Sequence, residues 1–380
     1  MSDQSNGGGA GMPDSGGGND IVNLGWGERI RDSLVAPLIG LVLFLGSIGL
    51  LFWNEGRAVA AFAALDRGAR IVVDVAADRV DSANEGRLVH LSGRATAPNP
   101  LIDDATGIGG PGLLRLERRV EMYQWHEHKS DKQIEYRKEW SSSPQNSDSF
   151  RNRQGHENPR MPLRDAALVN AGVALGGFAI DPRVTGEAEP LEDLPVATMK
   201  PANGFRPAGD GLYQGQDPAN PRVGDLRVTY RAVKAGDLSV VAAQRNGRLL
   251  PYPTPDGPAI ALAQTGFWTA PEMFKTARDH EVALTWILRL VGCAVMFFGI
   301  VLVFKPFSAL LGGIPLLGDL FDVGVGLVAF VIALPLSLAV IGFAWLFHRP
   351  LLAVGIFAAG AGIAAAIVWW RRRRVLAPAA

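Results

Sequence analysis

"LVAPLIGLVLFLGSIGLLFWNEGR", Leu34 to Arg57, sets the architecture of this chain. Its first twenty residues, Leu34–Trp53, carry no charge. At the helical rise per residue they reach about 30 Å, the thickness of a hydrocarbon core. "RAVAA" just beyond has some look of a signal-peptidase site. The apolar stretch is long for a cleavable signal, however, and Trp53-Asn54-Glu55 is a poor approach to cleavage, so the segment reads as a retained anchor. The closing tetrad, Asn54-Glu55-Gly56-Arg57, returns as Asn84-Glu85-Gly86-Arg87 in "NEGRLVHLSG".

Three more apolar runs follow near the C-terminus: Val282–Phe304, Val323–Phe347 with Pro335 as a kink, and Leu351–Trp370. Arg371 to Arg374 end the last one. By the bias of basic residues toward the cytoplasm, the tail 371–380 and the loop 305–322 lie inside. Counting back through four spans puts the N-terminus inside as well, and the segment 54–281 on the far side. Residues 1–20, rich in Gly and Ser, read as a disordered tail, and 21–33 as a juxtamembrane segment. Arg289 is the only charge well inside a span. With no carboxylate read at matching depth, it is expected to snorkel about 10 Å to the outer interface or to serve helix packing. Gly355/Ala359 and Ala358/Gly362 give the fourth span a weak small-residue stripe.

The formal net charge of the 380 residues is zero, so no bulk field favours nucleic acid, which is left out as a partner. Thirty of the 37 basic residues are Arg, which reads as the bias of a GC-rich, bacterial genome rather than as function. One cysteine, Cys293, allows neither an intramolecular disulfide nor a thiolate metal cluster.

The polar midsection has the makings of a β-rich α+β domain. Strand character falls on Ile71–Val75, Arg87–Ala95, Arg115–Glu127, Gln133–Trp140, Leu226–Val233 and Leu238–Gln244. In "RVEMYQWHEH" neither alternating side is purely apolar, which fits a strand inside a sheet. Asn246-Gly247 is a two-residue hairpin turn. Arg164–Gly172 is expected to be a short helix, and Asp181 to Pro221 an extended insertion of surface loops.

Chemistry is sparse. His126 and His128 share a strand face, and His90 or His156 could complete a metal set, but a solvated face is the stronger reading. Asp103-Asp104 look like turn residues, and Gly107-Ile-Gly-Gly-Pro-Gly lacks the context and basic residue of a phosphate loop. No nucleophile with a base emerges from "SSSPQNS". No catalytic, metal or cofactor residue is assigned, and no enzymatic activity is expected.

"LFWNEGRAV", "NEGRLVHLSG", "RRVEMYQWHE", "YRKEW", "GHENP", "GDLRVTY", "AAQRNGRLLPY" and "TWILRLVGCAVMFFG" stand in an order that resembles the transmembrane protein 43 (LUMA) family. The likeness runs from about Leu24 over nearly all of the chain. It implies a one-plus-three arrangement of spans around a lumenal or periplasmic domain, with no established enzymatic activity. Eukaryotic members of the family reside in the endoplasmic reticulum and inner nuclear membrane, organise membrane protein complexes with lamins and emerin, and self-associate. In a bacterial inner membrane such scaffolding would carry over only in kind. His126 and His128 have no counterpart in the family pattern, and 103–112 and 182–221 match poorly. The two tetrads then read as structural turns, one leaving the bilayer at Asn54 and one entering a strand at Asn84. Their residues, with Glu121, Tyr123, Trp125 and Arg289, form the expected structural and interaction set. The expected partners are the lipid bilayer, copies of the same chain and other membrane proteins. A sensor that couples an outer ligand to cytoplasmic effectors is the alternative.

Overall fold

The structure is a computed structural model that describes residues 20–23, 26–130, 133–311 and 317–349. Its helices are α1 (Trp26–Ile71), the single turn α2 (Pro182–Thr185), α3 (Ala270–Leu311) and α4 (Leu317–His348). Among the described residues, three helical stretches are long and apolar enough to cross a membrane: Val35–Ile71, Ala270–Pro306 and Gly324–His348. Leu38, Val42 and Leu45 of α1, Leu290 and Phe298 of α3, and Leu327 and Phe343 of α4 point outward and exposed. Water solvates such a surface poorly, and a lipid bilayer solvates it well. The expected fourth span, Leu351–Trp370, lies outside the described residues, as do 1–19 and 371–380.

At 46 residues α1 is about 69 Å long, more than twice a hydrocarbon core. The expected turn at Asn54 is therefore absent. "AVAAFAALDRGAR" is rich in the strongest helix former, and Ala58, Ala61 and Ala64 are buried, so the helix runs on to Ile71. Its upper half and the start of α3 form an antiparallel two-helix stalk. The β-rich part of the expected domain is correspondingly shorter, from Val73 to Thr265. Of the expected loop 305–322, the described parts are helical, α3 continuing to Leu311 and α4 starting at Leu317. Lower down, the backbones of α1 and α3 touch. A Cβ on Gly40 would stand 2.6 Å from the Gly299 carbonyl oxygen, and one on Gly299 would stand 2.8 Å from the Phe44 nitrogen. Any side chain there would push the helices apart.

Two sheets sit on the stalk. The basal sheet centres on Leu88–Thr96 paired antiparallel with Asp237–Arg245, Leu88 opposite Ala243 and Arg94 opposite Asp237. Both of its faces are covered, which is why "LVHL" and "LSVVAA" read as unbroken runs. On one face Val89, Leu91, Val240 and Ala242 pack with Leu175, Phe178 and Val184. On the other, Leu88 and Val241 pack with Ile260 and with Met273 and Phe274 of α3. Asn246-Gly247 makes the expected hairpin, with Arg245 opposite Arg248 and φ of 49° and 71°.

The outer sheet centres on the long strand Leu113–Lys129, between Leu226–Lys234 on one side and Gln133–Ser141 and Ala166–Val169 on the other. Its inward residues Leu116, Val120, Met122, Leu226, Val228 and Tyr230 form a second core. Pairing against Arg115–Arg118 turns the expected helix at Arg164–Gly172 into the strand Ala166–Val169, a tertiary contact overriding local propensity. The stretch from Asp181 to Pro221 is not external either. Its Pro and Gly residues make turns, but Val184, Ala188, Leu191, Leu194, Val196 and Leu212 between them plug both cores.

A short strand ahead of α1, Asp20–Asn23, pairs antiparallel with Gln133–Tyr136. A spanning α1 would put these segments on opposite faces of a bilayer, so this pairing and the four-span topology exclude one another. The exposed apolar face of α1 decides for the bilayer. Burying that surface in lipid outweighs a four-residue strand.

Gly299→Leu should therefore wedge α1 from α3, at a cost of about 1–3 kcal/mol or more. Gly46→Leu, with nothing within 4 Å of its Cβ, should be tolerated. Thermal midpoints of the detergent-solubilised full chain, read by size-exclusion recovery, compare the two.

Candidate functional site

Asn54, Glu55, Gly56 and Arg57 are consecutive on α1, so their side chains fan around the helix at about 100° per residue. Antiparallel to it, α3 presents Glu281, Thr285 and Arg289, four residues apart on one face. Glu55 is 1% exposed and meets the Arg289 guanidinium with both oxygens, Nε to Oε1 at 2.7 Å and Nη2 to Oε2 at 2.8 Å. The guanidinium also lies 4.9 Å from the Trp286 ring. Two residues on, Arg57 donates to Glu281 Oε2 at 2.6 Å and to Thr285 Oγ1 at 3.3 Å. Asn54 Nδ2 donates to the Thr285 carbonyl at 3.2 Å. Gly56 faces α4, where a Cβ would stand 2.7 Å from the His348 ring. That ring packs 5.1 Å from Phe52. Three of the tetrad residues thus bond α1 to α3, and the fourth, Gly56, leaves room for His348 of α4. Arg289 does not snorkel alone. Its carboxylate partner is Glu55, two residues beyond Trp53, where the uncharged run ends but α1 does not.

The second tetrad is the expected turn. Ser82–Asn84 form one 3₁₀ turn, Gly86 takes φ 75°, and Arg87 Nη1 donates to Asn84 Oδ1 at 3.3 Å before the strand begins. Glu85 accepts from the backbone nitrogen of Asn246 at 2.9 and 3.1 Å, holding the neighbouring hairpin. Nothing joins this tetrad to the first among the described contacts, so they share a spelling and not a site.

Glu121, Tyr123 and Trp125 line one face of the outer sheet, each engaged by neighbours. Arg227 Nε donates to Glu121 at 2.5 Å, and the Arg227 guanidinium lies 4.8 Å from the Trp140 ring, itself 5.3 Å from Tyr123. Lys138 stands 4.6 Å from the Trp125 ring. "GHENP" clasps this strand. Asn158 Oδ1 accepts from the Trp125 nitrogen at 2.7 Å, and its Nδ2 donates to the Trp125 carbonyl at 2.9 Å, in place of a strand neighbour. His156 stacks 3.9 Å from Tyr136.

A family model described as "Transmembrane protein 43" matches residues 122–350, which include Glu281, Thr285, Arg289 and His348. The chain belongs to the transmembrane protein 43 family. It is 32% identical over 378 residues to transmembrane protein 43 of Homo sapiens, covering 92% of this chain and 93% of that one. The Mus musculus protein is 32% identical over 354 residues, 86% of this chain and 88% of its own. The Drosophila melanogaster transmembrane protein 43 homolog is 30% identical over 372 residues, 92% and 97%. No solved structure matches.

In this transmembrane protein 43 family member the histidines do not converge. His126 and His128 have ring centroids 6.2 Å apart on the outer sheet, with His128 on Glu139 at 3.0 Å. Burial, with His128 alongside, pushes the His126 imidazole below its usual range. His90 is in the basal sheet. Asp103 does start its turn, accepting from Ala105 N, but it is also buried against Arg118 at 2.6 Å and Tyr230 Oη at 2.5 Å. Burial alone would raise its carboxyl; the Tyr230 and Arg118 hydrogen bonds win and hold it below the usual carboxylate range. An open cavity of about 670 Å³, lined by Arg119, Thr229 and Asp193 among others, lies beside it. At Glu127 burial is likewise outweighed, by Tyr136 and the Arg151 nitrogen, and the Tyr136 hydroxyl is pushed up to about 12 by its burial and by Glu127. The contributions missed from sequence are the partners Glu281, Thr285 and His348 and the clasp His156–Asn158, although Thr285 opens "TWILRLVGCAVMFFG" and the clasp lies in "GHENP".

Glu55→Gln and Arg289→Gln should each destabilise the full chain by about 3–5 kcal/mol, because each strands a buried charge. Glu55→Gln with Arg289→Gln should lose less than the sum of the two, a coupling that thermal midpoints of all four proteins reveal. Asp103→Asn should cost about 1.5–3 kcal/mol at neutral pH. A carboxylate with a depressed folded pKa stabilises above its unfolded value, and the gain disappears as pH falls through the folded one. The gap between wild type and Asp103→Asn should therefore close below about pH 4, read as denaturation midpoints across pH.

Proposed function

We propose that the protein is a non-enzymatic, multipass membrane scaffold. Its β-rich domain faces the lumen or periplasm and gathers membrane proteins, including copies of itself. Both termini are then cytoplasmic, and Leu351–Trp370 supplies the fourth crossing. The observation that carries this reading is the uninterrupted passage of α1 and α3 from the apolar zone into the domain, locked by Glu55–Arg289 and Arg57–Glu281. A domain fixed in height and orientation suits a platform on which partners register against a bilayer. Membership of the transmembrane protein 43 family supports the multipass part of this reading.

The same continuity favours a second reading, a sensor. Two rigid helices offer a path by which a ligand on the sheets could shift the packing of the spans, and cytoplasmic proteins would then co-purify with the chain.

Cross-linking and mass spectrometry in native membranes tests the scaffold. Lys–Lys links that the spacing within one copy forbids are expected, both between copies and to other membrane proteins. Purely intrachain links, with a monomer mass by light scattering in mild detergent, would overturn it.

A further inference from the structure

Both connections between stalk and β-domain meet at one ring. His90, 7% exposed in the basal sheet, reaches in two directions. Its Nδ1 is 2.6 Å from Oδ1 of Asp74, just past the end of α1, and its Nε2 is 2.9 Å from the carbonyl oxygen of Trp268, just ahead of α3. An ionised carboxylate and a backbone carbonyl only accept. Both ring nitrogens must therefore donate, and an imidazole that donates twice is the cation. A neutral ring keeps one proton. Held on Nδ1 by Asp74, that proton leaves the Nε2 lone pair facing the Trp268 oxygen.

The other donor within reach of that oxygen is Ser92 Oγ, at the longer distance of 3.4 Å, and it also shares a hydrogen bond with Ser239 Oγ at 2.7 Å. Ser239 accepts from Trp268 N at 2.9 Å and donates to the Gly266 carbonyl at 2.9 Å. Among the described residues, Asp74, from the strand after α1, is the charged group on the ring, and Glu272 of α3 caps the Thr269 end of the elbow. The Glu272 carboxylate is held by Thr269 N at 2.8 Å and Thr269 Oγ1 at 2.7 Å. The paired strand contributes Val241 and the neutral Ser239 on this face. Asp74 is largely open to solvent, with its side chain 82% exposed, so protons reach the pair. The elbow it governs presents Phe267 and Trp268 at the surface, 69% and 40% exposed.

We propose that His90 is a protonation-controlled latch that, as the cation, fastens the exits of α1 and α3 to the basal sheet and, as the neutral ring, frees the Trp268 elbow. Histidine is the side chain whose charge ordinarily changes between about pH 5 and 8. The doubly donating form is the protonated one, so the elbow is held at the acidic end and loosens as pH rises. The latch does not depend on whether the domain scaffolds or senses.

Hydrogen exchange of the full-length protein in lipid nanodiscs, at about pH 5.5 and about pH 8 and corrected for intrinsic rates, reads the elbow directly. The peptide containing Gly266–Ala270 should be about threefold to tenfold better protected at the acidic pH, the size of one net hydrogen bond. The peptide spanning the Asn246-Gly247 hairpin should not respond. In His90→Gln the elbow should lose its pH response while the hairpin keeps its protection. Equal protection of the wild-type elbow at both pH values overturns the latch, and so does a response that survives in His90→Gln. Should that variant fail to fold, Asp74→Asn replaces it. Without the carboxylate the cation is less favoured and the response should move to lower pH; an unmoved response overturns the proposal.

Discussion

The pairing of Glu55 with Arg289 is the constraint on which the rest of the molecule depends. Either charge alone at the edge of an apolar zone is costly, and the pair is tolerable only when both oxygens meet the guanidinium edge. That geometry permits one axial and rotational register between α1 and α3. The touching backbones at Gly40 and Gly299 below, and Arg57 with Glu281 above, are consistent with that register and no other. Since the basal sheet packs directly on Phe274 and Met273, the register of two helices becomes the orientation of the whole domain.

Much of the architecture was legible in the sequence because it follows from short-range rules. Strands such as Gln133–Ser141 and Leu226–Lys234 announce themselves by β-branched and aromatic residues, and Asn246-Gly247 by the positive φ that both positions require. Uncharged length marks the spans. What was not legible depends on partners far apart in the chain. Trp53 marks where hydropathy falls, and a drop in hydropathy does not end a helix whose following residues are rich in alanine. Once α1 was closed there, Glu55 could not be matched to Arg289, 234 residues away. The apolar plugs between Asp181 and Pro221 were hidden in the same way, since isolated Val, Leu and Ala among Pro and Gly show no period.

The repeated tetrad shows how little four letters fix. Asn54 sits in mid-helix and bonds across to α3, while Asn84 accepts from Arg87 in a turn. Gly56 lacks a side chain so that His348 can approach, and Gly86 lacks one so that φ can be positive. The neighbours decide, through the alanine stripe that follows one copy and the strand that follows the other.

The stalk also acts as a spacer. From Asn54 to Ile71 the helix climbs about 25 Å. The basal sheet packs near its top on Leu65 and Val72, with the loop at Gly257 reaching down to Ala60, so in the proposed topology the sheets are raised above the headgroups. Proteins that hug the membrane would meet the charged flanks of the two helices, and only those with tall ectodomains would reach the sheets. The number of residues in one helix would thus select binding partners by stature before any surface chemistry is consulted.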